Sequence, residues 1–282
     1  MVKVTRKKDG GDTIVEKTMS ILAVIGSARK GNTYKTVKKI EENLKLLGNV
    51  NVEYLFLKEV DLKGCIGCTN CLVRGEDICP LKDERESIEQ KMLHADGLIF
   101  ASPNYVCNVS SLMKNFIDRF AYCGHRPRFF TKPAMLVCTS AGPGGLNACM
   151  NSLSSIATAG FQIVNKLKVI TPLYKLSDSI TVKNQNNIIK ESKRFYETVQ
   201  KPSMKTPTLL EIMKFQAVRT FLLCRNDYLP CDYTYWKDKG WLDKEDYFYP
   251  ISKKVIKIVF GRLIGKFCIV YYKNVLLKGV EK

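Results

Sequence analysis

The feature that most constrains this chain is a regular alternation of short apolar segments with longer stretches of helical periodicity. Five apolar segments recur, at residues 20–25, 50–57, 97–101, 134–138 and 161–170. Runs of this length are typical of strands that are buried on both faces, as in a parallel sheet. Parallel strands that alternate with helices are joined by right-handed crossovers and covered by helices. The alternation therefore predicts an α/β fold.

Five strands within about 150 residues suit a flavodoxin-like, doubly wound domain. We expect a five-stranded parallel sheet in the order 2-1-3-4-5, a fold in which ligands sit beyond the carboxyl ends of the strands. This predicted domain covers residues 20–172. A flexible lead of residues 1–19 precedes it, and a helical, basic extension of residues 173–282 follows it.

The predicted extension contains one clear helix signal. Thr208 and Glu211 form a capping box that opens a helix ending at about Cys224. A last helix is predicted over residues 252–275, with basic side chains among apolar ones. We expect the extension to pack as an extra helical layer on the core or on a partner subunit. The alternative is an interfacial helix on an anionic membrane surface.

The charge and the cysteines limit the class of protein. The formal net charge is +18, and the charge is spread along the chain. We interpret it as a solvated basic surface and expect no nucleic-acid partner, because no nucleic-acid-binding motif accompanies it. An odd number of cysteines, 11, and an N-terminus without an apolar signal segment argue against a disulfide framework. The expected location is a reducing cytoplasm.

The first candidate binding segment lies directly between the first predicted strand and the first helix. It reads Gly26-Ser27-Ala28-Arg29-Lys30-Gly31-Asn32-Thr33. A phosphate here would meet backbone N–H groups, hydroxyl groups and the positive end of the helix dipole. The segment has neither the P-loop pattern nor the Gly-x-Gly-x-x-Gly pattern of dinucleotide sites. We predict a phosphate site, the alternative being an ordinary strand-to-helix turn.

Two further segments, residues 102–106 and 139–145, follow central strands. A flavin ring needs flat apolar contact, backbone N–H groups for its carbonyls and space at its dimethylbenzene edge. Tyr105 offers the contact, and the backbone around it offers the N–H groups. Glycines at positions 142, 144 and 145 leave the other side open. Together with the phosphate segment, these loops predict an FMN site at the carboxyl edge of the sheet.

Four cysteines crowd into a short segment after the second strand, with the spacing Cys65-x2-Cys68-x2-Cys71-x7-Cys79. Three thiolates at three-residue steps can surround one face of a cubane iron–sulfur cluster, and a more distant fourth can complete the coordination. Structural zinc sites more often use two separated Cys-x2-Cys pairs. Redox-active thiols and an intermolecular disulfide are the remaining alternatives.

With these motifs the chain resembles the NADPH-dependent FMN reductase family of flavodoxin-like proteins over residues 20–172, and within it the iron–sulfur flavoproteins. The stretch from Lys114 to Arg119 matches the family's Lys-x-Phe-Ile-Asp-Arg signature. The resemblance implies phosphate contacts from Gly26, Ser27, Arg29, Gly31, Asn32 and Thr33. It implies ring contacts from Pro103, Asn104, Tyr105, Val106, Thr139, Ser140, Ala141 and Gly142. It also implies a [4Fe–4S] cluster on Cys65, Cys68, Cys71 and Cys79.

The resemblance further implies an FMN-dependent oxidoreductase that takes electrons from NAD(P)H and passes them to a small-molecule or protein acceptor. It implies a homodimer or homotetramer whose interface helps to cover the flavin. No catalytic acid or base is expected, because the flavin carries the chemistry and the protein supplies position and electrostatics. The alternatives are a non-catalytic electron carrier or redox sensor, and an FMN or quinone reductase without a cluster.

Overall fold

The computed structural model describes residues 18–172, 174–243 and 245–251, together with residues 260, 263 and 267. The described chain falls into two compact units. The first contains the described residues up to 65 and those of 83–203, and the second contains residues 66–82 and the described residues from 204 onward. The segment 66–82 thus interrupts the first unit in sequence but belongs with the C-terminal residues.

A parallel sheet forms the centre of the first unit. The strands are β1 Met19–Ile25, β2 Val50–Phe56, β3 Gly97–Tyr105, β4 Asn108–Val109, β5 Pro133–Ser140 and β6 Gln162–Ile170. Five of them are parallel in the order β2-β1-β3-β5-β6, and β4 pairs antiparallel with the end of β3. The predicted strand order is confirmed. The two-residue strand β4 is an addition, too short to leave an apolar pattern.

Helices account for most of the remaining described chain. They are α1 Asn32–Leu47, α2 Asn70–Val73, α3 Arg85–His94, α4 Ser111–Arg119, α5 Tyr122–His125, α6 Leu146–Leu153, α7 Asp178–Gln200, α8 Leu209–Cys224 and α9 Pro230–Asp238. Two of the helical regions are divided. α4 ends at Arg119 shortly before α5 begins, and α6 is followed by a 3-10 turn from Ser154 to Ala159.

The core of the first unit is built from the strands and the helices that cover them. All eight residues of β5 are buried. α1 contributes Val37, Ile40 and Leu44, whose spacing of three and four residues places them on one face. α7 contributes Ile188 and Phe195 to the same core. Burying each such side chain fully contributes about 1.5–3 kcal/mol, so α7 is an integral helix of the first unit.

The second unit is held by a capped helix and an aromatic cluster. The capping box that opens α8 is confirmed, because Thr208 Oγ1 accepts from Glu211 N at 3.3 Å and Glu211 Oε2 accepts from Thr208 N at 2.7 Å. Phe215 stacks on Trp236 with ring centroids 5.2 Å apart, and Trp241 packs edge-on against Trp236 at 5.4 Å. Phe215 and Trp236 are each only 1% exposed, so these rings belong to the apolar centre of the second unit.

The last predicted helix, over residues 252–275, and its basic side chains lie outside the described residues, apart from the three isolated positions. Of the helices that the structure describes, none combines the length and the apolar character needed to cross a membrane.

Candidate functional site

The carboxyl ends of three neighbouring strands bring the three predicted segments to one edge of the sheet. β1 ends before the first segment, β3 carries the second at its end, and β5 carries the start of the third. Pro103 and Thr139 are register partners in the β3–β5 pair. The hydroxyl oxygens of Thr33 and Thr139 lie 2.7 Å apart, which joins the first segment to the third. Every predicted FMN residue therefore lies in the first unit.

The first segment leaves the N-terminus of α1 uncapped. Gly31 is the N-cap residue, no side chain accepts a hydrogen bond there, and the first turn contains no acidic residue. Ser27 is buried and its hydroxyl donates to Arg29 O at 2.8 Å, which shapes the turn, while the Arg29 side chain is exposed. Asn32 Nδ2 donates to Thr171 O at 3.0 Å. The helix dipole and the unpaired N–H groups of the first turn favour a negative charge at this position.

Gly26 is needed for packing. A Cβ atom at this position would lie 2.8 Å from Met113 Cβ and 3.1 Å from Ser110 Oγ. The Ser110 hydroxyl caps α4 by accepting from Met113 N at 3.2 Å and also donates to the Gly26 carbonyl. The close approach of α4 to the end of β1 therefore accounts for this glycine.

The second segment forms an exposed hairpin between β3 and β4. Tyr105 is 52% exposed and Val106 is 98% exposed. Val106 and Cys107 have positive φ values of 48° and 62°, in the left-handed region that side chains other than glycine rarely occupy. Strain of this kind persists where the surroundings determine the backbone, and it recurs at ligand sites. The hairpin thus presents an apolar surface and backbone groups at the edge of the sheet.

Asn104 carries an unsatisfied polar atom at this edge. Its Nδ2 donates to Ser140 Oγ at 3.0 Å and to Gly144 O at 2.9 Å, which ties the second segment to the third. Its Oδ1 is buried and has no partner within the described part of the chain. Most buried polar atoms in proteins are hydrogen-bonded, so this oxygen has the capacity to accept a hydrogen bond from a bound molecule.

A glycine at position 145 allows the third segment to approach the hairpin closely. Gly145 has a φ of 74°, and a Cβ atom there would lie 2.8 Å from Cys107 Cα and 3.0 Å from Asn104 Nδ2. Around Gly142 and Gly144 a Cβ atom would meet nothing within 4 Å. The third segment therefore touches the hairpin at Gly145 and leaves open space beside Gly142, as a flat ligand requires.

An anchor that sequence reasoning missed fixes the ends of the cysteine segment to α4. Arg119 and Asp83 form a buried ion pair with side chains 2% and 1% exposed, and Arg119 also donates to Lys63 O at 2.8 Å. Asn115 Nδ2 donates to Leu62 O at 3.0 Å, while its Oδ1 accepts from Cys65 N at the same distance. Residues 62–65 and 83 are thereby held by two side chains of one helix.

The charge state of Asp83 follows from this anchor. Burial alone raises the pKa of the Asp83 carboxyl. Hydrogen bonds from Arg119 and from the backbone N–H groups of Lys63 and Arg85 outweigh burial, so the pKa lies below its ordinary value. Asp118, by contrast, pairs with Lys114 on the exposed face of α4 at 2.6 Å. The sequence signature in α4 could have indicated that Arg119 has a partner, but not which one.

The four predicted metal ligands are placed differently from the FMN residues. Cys65 lies at the end of the first unit, and Cys68, Cys71 and Cys79 lie in the second. Cys65 and Cys68 are exposed, and the other two are half-buried. Four thiols are a donor set suited to an iron–sulfur cluster. Among the described residues, however, no three Cys, His, Asp or Glu side chains are grouped closely enough to hold a metal ion.

Comparisons with known proteins agree with the observed sheet. Residues 19–175 match the sequence profile of the NADPH-dependent FMN reductase family. The chain is 31% identical over 206 residues to an iron–sulfur flavoprotein of Clostridioides difficile (strain 630), covering 72% of this chain and 89% of that protein. It is 39% identical over 101 residues to an iron–sulfur flavoprotein of Archaeoglobus fulgidus, covering 36% of this chain and 48% of that protein.

A solved structure of a flavone reductase is similar in fold, with a TM-score of 0.50 at 16% identity, covering 65% of this chain and 64% of that one. The family profile covers more than half of the chain, and the alignment with the Clostridioides difficile protein covers most of both sequences. The chain therefore belongs to the NADPH-dependent FMN reductase family, and it is an NAD(P)H-dependent flavin oxidoreductase with a flavodoxin-like fold.

Proposed function

We propose that the three loops at the carboxyl edge of the sheet bind FMN, with its ring beside Asn104. The observation that carries the proposal is the buried, unpaired Oδ1 of Asn104. The flavin ring has one N–H group on its pyrimidine edge, and a donor of this kind would satisfy that oxygen. The hydrogen bonds from Nδ2 to Ser140 and Gly144 fix the direction in which Oδ1 faces.

The remaining contacts follow from the positions of the loops. The phosphate would lie at the uncapped N-terminus of α1, where the helix dipole favours a negative charge. Its ligands in this proposal are Ser27, Arg29, Gly31, Asn32 and Thr33. The ring would contact Pro103, Asn104, Tyr105 and Val106 on one side and Thr139, Ser140, Ala141 and Gly142 on the other.

When bound, FMN accepts a hydride from NAD(P)H and passes the electrons to an acceptor. The chain's own residues bind the phosphate, orient the ring and cover part of it with the hairpin. No acidic or basic side chain is assigned a proton-transfer role. Tyr105 and Val106, both exposed, provide the apolar surface against which the ring would rest.

We further propose that Cys65, Cys68, Cys71 and Cys79 bind a [4Fe–4S] cluster. The spacing of the four thiols supports this proposal. The two relatives from Clostridioides difficile and Archaeoglobus fulgidus are named iron–sulfur flavoproteins, which supports it as well. The anchor formed by Asn115 and Arg119 would hold the backbone at Cys65, where the cysteine segment begins.

The experiment that tests both proposals is purification of the full chain without oxygen, followed by a visible spectrum and analysis of flavin, iron and zinc. FMN bound at one per chain, with the absorption of a flavin, would support the first proposal. A colourless protein that takes up no added FMN would overturn it. Four iron atoms per chain would support the second proposal, and zinc or no metal would overturn it.

Turnover measurements separate the enzyme from the carrier or sensor. We expect the FMN-loaded protein to oxidise NAD(P)H repeatedly when an artificial acceptor is present. Reduction that stops after one equivalent of NAD(P)H would favour a carrier or sensor instead.

We also propose that the protein is a homodimer or homotetramer and that it works in the cytoplasm. Sedimentation of the FMN-loaded protein tests the assembly.

A further inference from the structure

Two buried cysteines of the first unit face each other across β5 and α6. Cys138 lies near the end of β5 and Cys149 lies in the first half of α6, and both side chains are fully buried. The Cys149 thiol donates to Cys138 Sγ, with the two sulfur atoms 3.2 Å apart. The same thiol lies 3.9 Å from the carbonyl oxygen of Pro103. Neither cysteine belongs to the proposed FMN or metal ligands.

The distance between the two sulfur atoms is close to that required for a bond. A disulfide has an S–S length of about 2.05 Å, so the sulfur atoms need to approach by only about 1 Å. Cys138 lies on strand β5, and Cys149 lies on α6, a helix of eight residues that begins after a glycine turn. The two thiols therefore already face each other across the contact between β5 and α6.

The pair is also chemically asymmetric. When Cys149 is the thiolate, the S–H group of Cys138 donates to it, and this hydrogen bond lowers the pKa of the Cys149 thiol. The same hydrogen bond, together with burial, raises the pKa of the Cys138 thiol. Thiolates, not thiols, attack oxidants, so Cys149 is the thiol that reacts first.

We propose that Cys138 and Cys149 form a redox-active dithiol, a second redox site in which hydroperoxides produce an internal disulfide. In the first step the Cys149 thiolate attacks one oxygen of hydrogen peroxide. The O–O bond breaks, Cys149 becomes a sulfenic acid, and the other oxygen leaves as water after taking up a proton. In the second step Cys138 Sγ attacks the sulfenic sulfur, the S–S bond forms, the S–O bond breaks, and a second water leaves.

The two steps balance as two thiols and one hydrogen peroxide giving one disulfide and two waters. The two thiols lose two electrons, and the peroxide gains them. A dithiol reductant reverses the change by exchange. The bond would join β5 to α6 on either side of the loop that holds Gly142 and Gly145. The disulfide would therefore constrain the loop whose Gly144 carbonyl accepts a hydrogen bond from Asn104.

Mass spectrometry of the full-length protein tests the proposal without any substitution. Trypsin releases residues 129–166 as one peptide, in which Cys138 and Cys149 are the only cysteines. The protein is reduced, freed of reductant, treated with hydrogen peroxide, alkylated under denaturing conditions and digested. We expect this peptide to lose both alkyl groups and two hydrogen atoms after peroxide, and to regain both alkyl groups after dithiothreitol.

Variants determine which thiol reacts first. In Cys138→Ser, Cys149 should accumulate as a sulfenic acid that dimedone traps, whereas Cys149→Ser should leave Cys138 fully alkylated. Cys123→Ser, which removes another buried cysteine of the same unit, should still form the disulfide. The proposal is wrong if peroxide oxidises other cysteines of the wild-type chain while the peptide of residues 129–166 remains alkylated at both positions. Because apoprotein can be used, this outcome is independent of whether FMN binds.

Discussion

At the scale of single residues, the site depends on side chains that join separate loops. Asn104 joins the hairpin after β3 to the loop after β5 through two donated hydrogen bonds. Asn115 joins α4 to the start of the cysteine segment through both ends of its amide. In each case the side-chain amide forms hydrogen bonds with backbone groups that have no partner in a helix or sheet. Replacing the amide therefore changes the position of a loop.

The first prediction concerns Asn104. Asn104→Ala removes the unpaired acceptor and both donors, so FMN affinity should fall by about tenfold, which is about 1.4 kcal/mol. Fluorescence titration of FMN into apoprotein measures this change. Asn43→Ala is the control, because Asn43 donates to Lys39 O within α1 and is remote from its N-terminus. Equal affinities for Asn104→Ala and wild type would contradict the placement of the ring.

The second prediction concerns the buried ion pair. Asp83→Asn should lower the free energy of unfolding at neutral pH by about 3–5 kcal/mol, because it leaves Arg119 charged and buried without its carboxylate partner. Asp118→Asn removes the carboxylate of the exposed Lys114–Asp118 pair on α4. It should lower the free energy of unfolding by less than about 1 kcal/mol. Urea denaturation of the three proteins measures both effects.

The difference in unfolding free energy between wild type and Asp83→Asn depends on pH. The pKa of Asp83 is lowered in the folded protein, so its stabilisation is complete above the unfolded pKa of about 3.9 and is lost as pH falls through the folded pKa. The difference between wild type and Asp83→Asn should therefore narrow below about pH 4. A difference that stays constant from neutral pH to about pH 3 would show that the carboxylate charge is not responsible.

At the scale of elements, the sequence identified every strand that is long and apolar. The start of α1 could also be predicted, because Val37, Ile40 and Leu44 show helical spacing directly after a glycine turn. The end of β3 was not predictable, because Ser102 and Pro103 resemble a strand terminator. In the structure Pro103 continues the pairing with β5, and β4 extends the ladder to Tyr105.

Contacts between distant elements could not be predicted either. Asp83 and Arg119 are 36 residues apart, and only the folded sheet brings α4 to the start of α3. Cys138 and Cys149 are 11 residues apart, but a strand, a loop and a helix lie between them, so no periodicity relates them. Sequence reasoning therefore identified the three loops at the carboxyl edge of the sheet, which are local, and missed the side chains that join them.

The third prediction concerns the turn into α6. Gly145→Ala should lower the free energy of unfolding by about 1–2 kcal/mol and weaken FMN binding, because its left-handed φ and its contact with Cys107 leave no room for a Cβ atom. Gly144→Ala is the matched control, since nothing lies within 4 Å of its Cβ position. The same denaturation and FMN titration apply to both. If Gly144→Ala is as harmful as Gly145→Ala, the close approach to the hairpin is not the cause.

At the scale of the whole molecule, the proposed cofactor sites draw on different parts of the chain. All proposed FMN ligands lie in the first unit, whereas three of the four proposed cluster ligands lie in the second. Residues of the first unit that flank the segment 66–82 in sequence are held by Asn115 and Arg119. This division implies that the two cofactors can be lost independently.

The last prediction tests that independence. The double substitution Cys68→Ser and Cys71→Ser should abolish iron binding, because it removes two of four thiolate ligands, and should leave FMN affinity within about twofold of wild type. Iron and FMN per chain are measured after anaerobic reconstitution. Cys224→Ser, in α8 of the second unit, is the control and should retain both cofactors. Loss of FMN together with iron would show that the flavin site requires the cysteine segment, and iron at the wild-type level would show that the metal is held elsewhere.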